Sequence, residues 1–162
     1  MLKWFYIAVL MILFSVLILN KLVTPHGPGQ SPRFQITKIE AEAEWIEIQN
    51  MSDHKENIGG WMILSLGKGS QPVQAFWFPA VCSVPAGGVV IVHSSGDINK
   101  SEDSCGQKQI NLYWDISKIG SEVWSNKNDT ACLLDKERQT VSHLDYKKGT
   151  GKCRGSYRAE KV

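Results

Sequence analysis

Four histidines and four cysteines are the residues of this 162-residue chain best suited to chemistry. His26, His54, His93 and His143 are scattered. They show neither the H-E-x-x-H nor the H-x-x-x-H spacing that would turn two imidazoles toward one metal ion. The sequence offers no nucleophile beside a base, no paired acids and no metal-ligand set, so a hydrolase reading finds no machinery. The expectation is a protein that is not an enzyme and uses no metal or cofactor. His143 and Asp145 share one strand face, two positions apart, and read as a surface pair. Glu40, Glu42 and Glu44 alternate along one edge and could attract a cation, but a solvated edge guarded by charge is the preferred account. Gly67-Lys-Gly69 lacks the spacing of a phosphate-binding loop. N-x-[ST] triplets begin at Asn50, Asn99 and Asn128 and matter only in a eukaryotic secretory route.

The cysteines point to compartment rather than catalysis. Cys82, Cys105, Cys132 and Cys153 include no C-x-x-C pair, which disfavours a zinc or thioredoxin-type site. An even count in an exported domain implies two disulfides, with three possible pairings. Cys82–Cys105 with Cys132–Cys153 is favoured, because each closes a loop of roughly twenty residues and contributes roughly 3 kcal/mol if unstrained. Unpaired thiols in a cytosolic domain are the alternative.

Two features suit binding. Strand alternation sets Trp77 opposite Phe76 and Phe78, and Trp114 follows Tyr113 after a long polar segment. An exposed Trp beside polar groups can anchor a partner. Charge is also uneven. Ten basic residues face fifteen acidic ones between Arg33 and Asp145, whereas six face one beyond Tyr146. Lys147, Lys148, Lys152, Arg154 and Arg158 therefore make a basic tail on an acidic body. Such a tail could hold an anionic polymer or a nucleic acid. A solvated C-terminus is the plainer reading, and nucleic acid is not favoured.

These residues need elements to position them. Trp4–Leu19 carries no charge, and extending it to Val23 gives about 30 Å of helix, the thickness of a bilayer core. Trp4 and Tyr6 suit one interface. No A-x-A-like cleavage site follows, so an uncleaved anchor is preferred to a signal peptide. The expected organisation is a single-pass transmembrane signal-anchor at 1–23, with the lipid bilayer as its partner. A Pro/Gly linker follows at 24–33, then a folded domain at 34–146 and the basic tail at 147–162. Lys3 against Lys21, Arg33 and Lys38 does not favour export by the positive-inside rule, but long domains translocate largely regardless of charge. The domain is placed outside the cell membrane, periplasmic or extracellular.

Short apolar segments divided by turns fill the domain. Phe34–Ile39, Glu44–Asn50, Ile58–Leu66, Gln74–Pro79, Val89–Val92, Thr130–Leu134 and Thr140–Tyr146 read as strands. In the second, Ile46 and Ile48 face one way and Trp45 and Glu47 the other. Val89–Val92, apolar throughout, is expected to be a central strand covered on both sides. Ser94–Leu112 reads as a long loop pinned by Cys105. Asp135–Gln139 reads as a hairpin turn without glycine. This many short strands without an amphipathic helix predicts an all-β sandwich.

Five pieces in order resemble the lamin tail domain family: Glu44-Trp-Ile-Glu-Ile-x-Asn50, Ile58-Gly-Gly-Trp61, Phe76-x-Phe-Pro79, Pro85–Val92 and Val123–Asp135. The resemblance covers roughly residues 34 to 146 and implies an immunoglobulin-like β-sandwich. The N-terminal anchor is similar to that of exported prokaryotic members. In such a family Glu47, Asn50, Gly60, Trp61, Asn126 and Asp129 are architectural. Gly59 and Gly60 admit a bend before Trp61, which fills the core. Glu47 and Asn50 cap or bridge turns, and Asn126 and Asp129 hold loop amides. The function expected is a non-catalytic, membrane-tethered module that binds a surface protein or polymer. An anionic-polymer or nucleic-acid binder acting through the tail is the alternative.

Overall fold

The computed structural model describes residues 33–67, 74–94, 104–116, 122–147 and 152–153. The expected anchor, the linker up to residue 32, and Lys148, Arg154 and Arg158 lie outside them.

The described residues form ten strands: β1 Phe34–Glu40, β2 Trp45–Asn50, β3 Glu56–Asn57, β4 Met62–Ser65, β5 Gln74–Trp77, β6 Ser83–Val84, β7 Val89–His93, β8 Gln109–Tyr113, β9 Asn128–Leu134 and β10 Thr140–Lys147. The first sheet has the order β1-β2-β7-β8 and the second β10-β9-β4-β5, with a small β3-β6 ladder beside them. The described residues include no helix.

Alternation builds the core. Ile46 and Ile48 of β2, Val90 and Val92 of β7, and Ile110 and Leu112 of β8 point inward from the first sheet. Ile63, Phe76, Ala131 and Leu133 meet them from the second. Phe76 packs edge-on against Phe78 at 5.3 Å between ring centroids. Burying one such aromatic or aliphatic side chain is worth about 1.5–3 kcal/mol. The sandwich closes along one side, where the Ser142 hydroxyl of β10 accepts a hydrogen bond from the Ile36 amide of β1 at 3.1 Å.

Three expectations about the strands need correction. Val89–Val92 is not covered on both sides: Val90 and Val92 are buried, whereas Val89 and Ile91 are half-exposed. The doubly covered strands are β4 and β9. Their outward Met62, Leu64, Cys132 and Leu134 form a second apolar cluster with Leu66, Ala75, Trp77 and Cys153. Ser94–Leu112 is not all loop, because Gln109-Ile-Asn-Leu-Tyr113 alternates and pairs parallel with β7. Its polar outward residues disguise it as loop. Finally, Ile58–Leu66 supplies a strand only from Met62, because Gly59 and Gly60 turn the chain first. Gly60 has φ 75°, and a Cβ on Gly59 would lie 2.3 Å from the Ala80 carbonyl oxygen.

Both favoured disulfides are present. Cys82 joins Cys105 across 23 residues, with Cα atoms 5.0 Å apart. Cys132 joins Cys153 across 21 residues, with Cα atoms 5.8 Å apart. The first stands just before β8. Parallel neighbours cannot be joined by a tight hairpin, so β8 must be brought back by a long connection, and this bridge pins its return. The second ties Cys153 to the outer face of the second sheet, so the tail beyond β10 is anchored within a few residues. Asp135–Gln139 does turn without glycine: Arg138 takes φ 67°, and the Asp135 carboxylate accepts the Gln139 amide at 2.8 Å.

Candidate binding face

The outer faces of the two sheets differ. That of the second sheet is filled by the Met62–Leu134 cluster. That of the first sheet is half-exposed and ordered by register into rows. One row runs Glu40, Trp45, His93, Tyr113 across β1, β2, β7 and β8. The next runs Lys38, Glu47, Ile91, Asn111, and the third Gln35, Gln49, Val89, Gln109. Cross-strand neighbours of this kind stand about 5 Å apart, so aromatic side chains in one row touch.

Hydrogen bonds and ring contacts fix several side chains of the first two rows. The His93 and Tyr113 rings stack at 5.0 Å with planes 17° apart. His93 Nε2 lies 3.0 Å from Asn111 Oδ1. Lys38 Nζ sits 5.0 Å from the centre of the Trp45 ring and 2.6 Å from the Glu40 carboxylate. The Thr37 hydroxyl donates to Glu47 Oε1 at 2.6 Å. Glu47 therefore braces the strand pair β1–β2; it does not cap a turn, as the sequence led one to expect. The β-bulge between Ile36 and Lys38 sets this contact, because the extra residue turns Thr37 and Lys38 to the same side.

The binding residues expected from sequence do not converge. Trp114 is no exposed anchor: it is 5% exposed and lies in the core, 5.8 Å from Phe76 and 6.1 Å from Trp124. The alternation of β8 runs on past Tyr113, so Trp114 falls inward with Ile110 and Leu112. Trp77 does point outward, but onto the second sheet, where the Arg138 guanidinium covers its ring at 3.8 Å. Lys147 belongs to β10 rather than the tail, and its Nζ donates to the Asn126 carbonyl oxygen at 2.7 Å. Lys152 is exposed beside the Cys153 bridge. Sequence reasoning passed over Trp45, His93 and Tyr113. The alternation of β2 already turned Trp45 outward, but only pairing with β7 and the unrecognised β8 gathers the three.

Asn50 is the centre of one end of the sandwich. It is 0% exposed. Its Nδ2 donates to the carbonyl oxygens of His54, Val84 and Pro85 at 2.9–3.0 Å, and its Oδ1 accepts the Ser52 amide and hydroxyl. A side chain so enclosed is not a glycan acceptor. Asp129 plays a similar part elsewhere, accepting from the Ser125 and Gly67 amides and the Ser65 hydroxyl at 3.0–3.1 Å. Asn126 does not share that work: its Oδ1 is buried without a hydrogen-bond partner. Trp61 is only partly buried and lies edge-on to Phe34 at 5.2 Å instead of filling the core.

Glu44 departs furthest from expectation. It is no solvated edge charge but is 9% exposed, with φ 54°. Its Oε2 accepts from the Ser94 hydroxyl at 2.8 Å and from the Val123 and Trp124 amides at 3.0 and 3.3 Å. Burial pushes its carboxyl above the ordinary carboxylate range, against those three hydrogen bonds, and the nearby Glu122 charge adds to the rise. The folded domain therefore holds this proton more tightly than the unfolded chain does. Its contribution to stability is full below the unfolded-state pKa and is lost as pH rises through the raised folded value. Glu44→Gln is expected to flatten that slope in melting temperatures taken from about pH 4 to pH 8. A wild-type slope surviving in the variant would remove Glu44 as its source. At the far end of β2, the exposed His54 is raised by its hydrogen bond to Asp53 at 2.7 Å, with Glu56 at 2.8 Å assisting.

Fold and face together define a disulfide-braced, two-sheet β domain with one ordered, half-exposed sheet surface. The Lamin Tail Domain family model matches residues 24–148, and the chain belongs to that family. The immunoglobulin-like sandwich implied by the resemblance is thus shown, and the match begins ten residues before the expected start of the domain. No curated protein matches the chain.

Proposed function

We propose that this chain is a non-catalytic binding module, tethered by its N-terminal apolar segment on the outer side of a cell membrane. It grips a surface protein or polymer with the outer face of the first sheet. The observation that carries this reading is the row Trp45–His93–Tyr113, three aromatic rings kept half-exposed on a face that also exposes part of Ile91 and Val89 among polar residues. Aromatic side chains offer large contact area at low entropic cost, which is why they dominate binding surfaces. The two disulfides agree with an oxidising compartment. The family is one of immunoglobulin-like domains, which supports binding over turnover.

A photo-crosslinking residue at Gln109, exposed on the first sheet, should form adducts on intact cells. The same residue at His143, exposed on the outer face of the second sheet, should not. Adducts from His143 alone would refute the assignment of the face. The alternative is the basic tail as a site for anionic polymer or nucleic acid, and its affinity would fall steeply with salt. Truncation is a poor test of it, because removing the tail also removes Cys153. Neutralising Lys148, Arg154 and Arg158 keeps that bridge, and unchanged affinity would dispose of the tail.

A further inference from the structure

We infer that the Cys132–Cys153 bridge, which the binding role leaves unused, is a thiol-exchange site. A dithiol reductant opens it, and His143 gives a proton to the departing Cys132 sulfur. Register supplies the first observation. In the antiparallel pair β9–β10, His143 stands opposite Cys132, and Asp145 stands opposite Thr130. The second of these pairs touches: the Thr130 hydroxyl donates to the Asp145 carboxylate at 2.6 Å. Alternation turns His143 to the same face as Asp145, and Cys132 to the same face as Thr130. The exposed imidazole therefore stands beside the bridge, as directly opposite side chains on one face do, with Cβ atoms about 5 Å apart. Cys82 and Cys105 lie outside the ten strands, so their bridge has no ladder partner of this kind.

The second observation is unequal burial. Cys132 is 0% exposed and lies among Met62, Leu64 and Leu134, whereas Cys153 is half-exposed. An incoming thiolate reaches the sulfur that solvent reaches, so Cys153 is attacked and Cys132 leaves. Apolar surroundings oppose a thiolate, and the leaving sulfur must gain a proton as the bond breaks. His143 is placed to give it. The other charged groups near this point are differently engaged or placed. Asp145 accepts from Thr130, and Lys152 is exposed next to Cys153. Lys38 of the neighbouring β1 is paired with Glu40 at 2.6 Å.

The third observation is position in the chain. Cys153 follows β10, the last of the ten strands, so its release asks no strand to leave its ladder. The step balances as ordinary exchange. The dithiol's first sulfur bonds to Cys153 Sγ, the Cys132–Cys153 bond breaks, and its electron pair stays on Cys132 Sγ, which takes the imidazolium proton. The dithiol's second thiolate then displaces Cys153, which is protonated from water. The bridge gains two electrons, and the dithiol loses two in closing to its own disulfide.

The test treats the full chain in lipid nanodiscs with dithiothreitol, without denaturant, and quenches by alkylation at timed intervals. Peptide mapping then follows each bridge. Cys132–Cys153 should open at least about tenfold faster than Cys82–Cys105. Per unit of dithiothreitol thiolate, its rate should fall as rising pH strips the imidazolium of its proton. His143→Gln should slow opening severalfold at neutral pH and abolish that dependence. The variant should melt like the parent, because His143 is exposed. The inference is overturned if Cys82–Cys105 opens first, if both bridges open together, or if Cys132–Cys153 opens no faster than the core amides exchange through global unfolding. An unchanged rate and pH profile in His143→Gln would remove His143 as the proton donor.

Discussion

Asn50→Asp should cost the domain at least about 4 kcal/mol and leave little folded protein at ordinary temperature. The native amide gives its two N–H groups to the carbonyl oxygens of His54, Val84 and Pro85. A carboxylate in its place turns an oxygen toward those three oxygens, with no solvent to screen it. Each buried group left unpaired costs about 1–3 kcal/mol, and a buried unpaired charge costs more. Small domains carry only about 5–15 kcal/mol of stability, so the substitution removes a large share. Ser52→Ala, which loses one hydroxyl donor to the same Asn50 oxygen, should cost only about 1 kcal/mol. Urea midpoints of the two variants check both figures. A loss below about 1 kcal/mol in Asn50→Asp would mean that the hub is not a hub.

The second large effect is expected from the pair Cys82→Ser and Cys105→Ser. Opening a loop of 23 residues should cost about 3 kcal/mol through the unfolded chain. The damage should also be local. Cys105 stands just before β8, an edge strand in parallel pairing with β7. Hydrogen exchange should show the amides of Gln109–Tyr113 losing protection before those of β2. Tyr113 leaves the aromatic row with its strand, so binding through the first sheet should weaken as well. The matched pair Cys132→Ser and Cys153→Ser should cost a similar amount yet leave that face intact, because its bridge lies on the second sheet. Equal losses of binding in both pairs would break the link between the Cys82–Cys105 bridge and the face.

Much of the architecture was legible because local patterning and global fold agree. β1, β2, β5, β7, β9 and β10 were each announced by alternation or a short apolar run, and the two cysteine pairings followed from loop length. The parallel strand β8 was not legible. Its outward residues are Gln109, Asn111 and Tyr113, and its pairing depends on a distant partner rather than on a neighbouring turn. The double burial was assigned to the wrong sheet for a related reason. A continuous apolar run in β7 looks like double burial, but what covers a strand is set by the packing of other elements. Met62-Ile-Leu64 carried the same signal, and the Cys153 bridge brings cover to that side.

The candidate site was harder to read than the fold. Trp77 and Trp114 looked equivalent in sequence, yet one lies under Arg138 and the other inside the core. The cover of Trp77 by Arg138 is encoded by no local spacing, whereas Trp114 follows the inward alternation of Ile110 and Leu112 and was misread with the strand β8 itself. Glu44 was misjudged because alternation with Glu40 and Glu42 suggested an exposed edge. The turn at Ala41–Glu44 instead swings it inward, under the amides of Val123 and Trp124.

The central proposal is an oxidised binding domain carried on the outer side of a membrane. Its most direct test is thiol labelling of intact cells with a membrane-impermeant reagent, before and after an impermeant reductant. The account predicts no labelling at first and labelling of the domain's cysteines once the reductant is added. Free thiols that label only after the cells are broken open would contradict it.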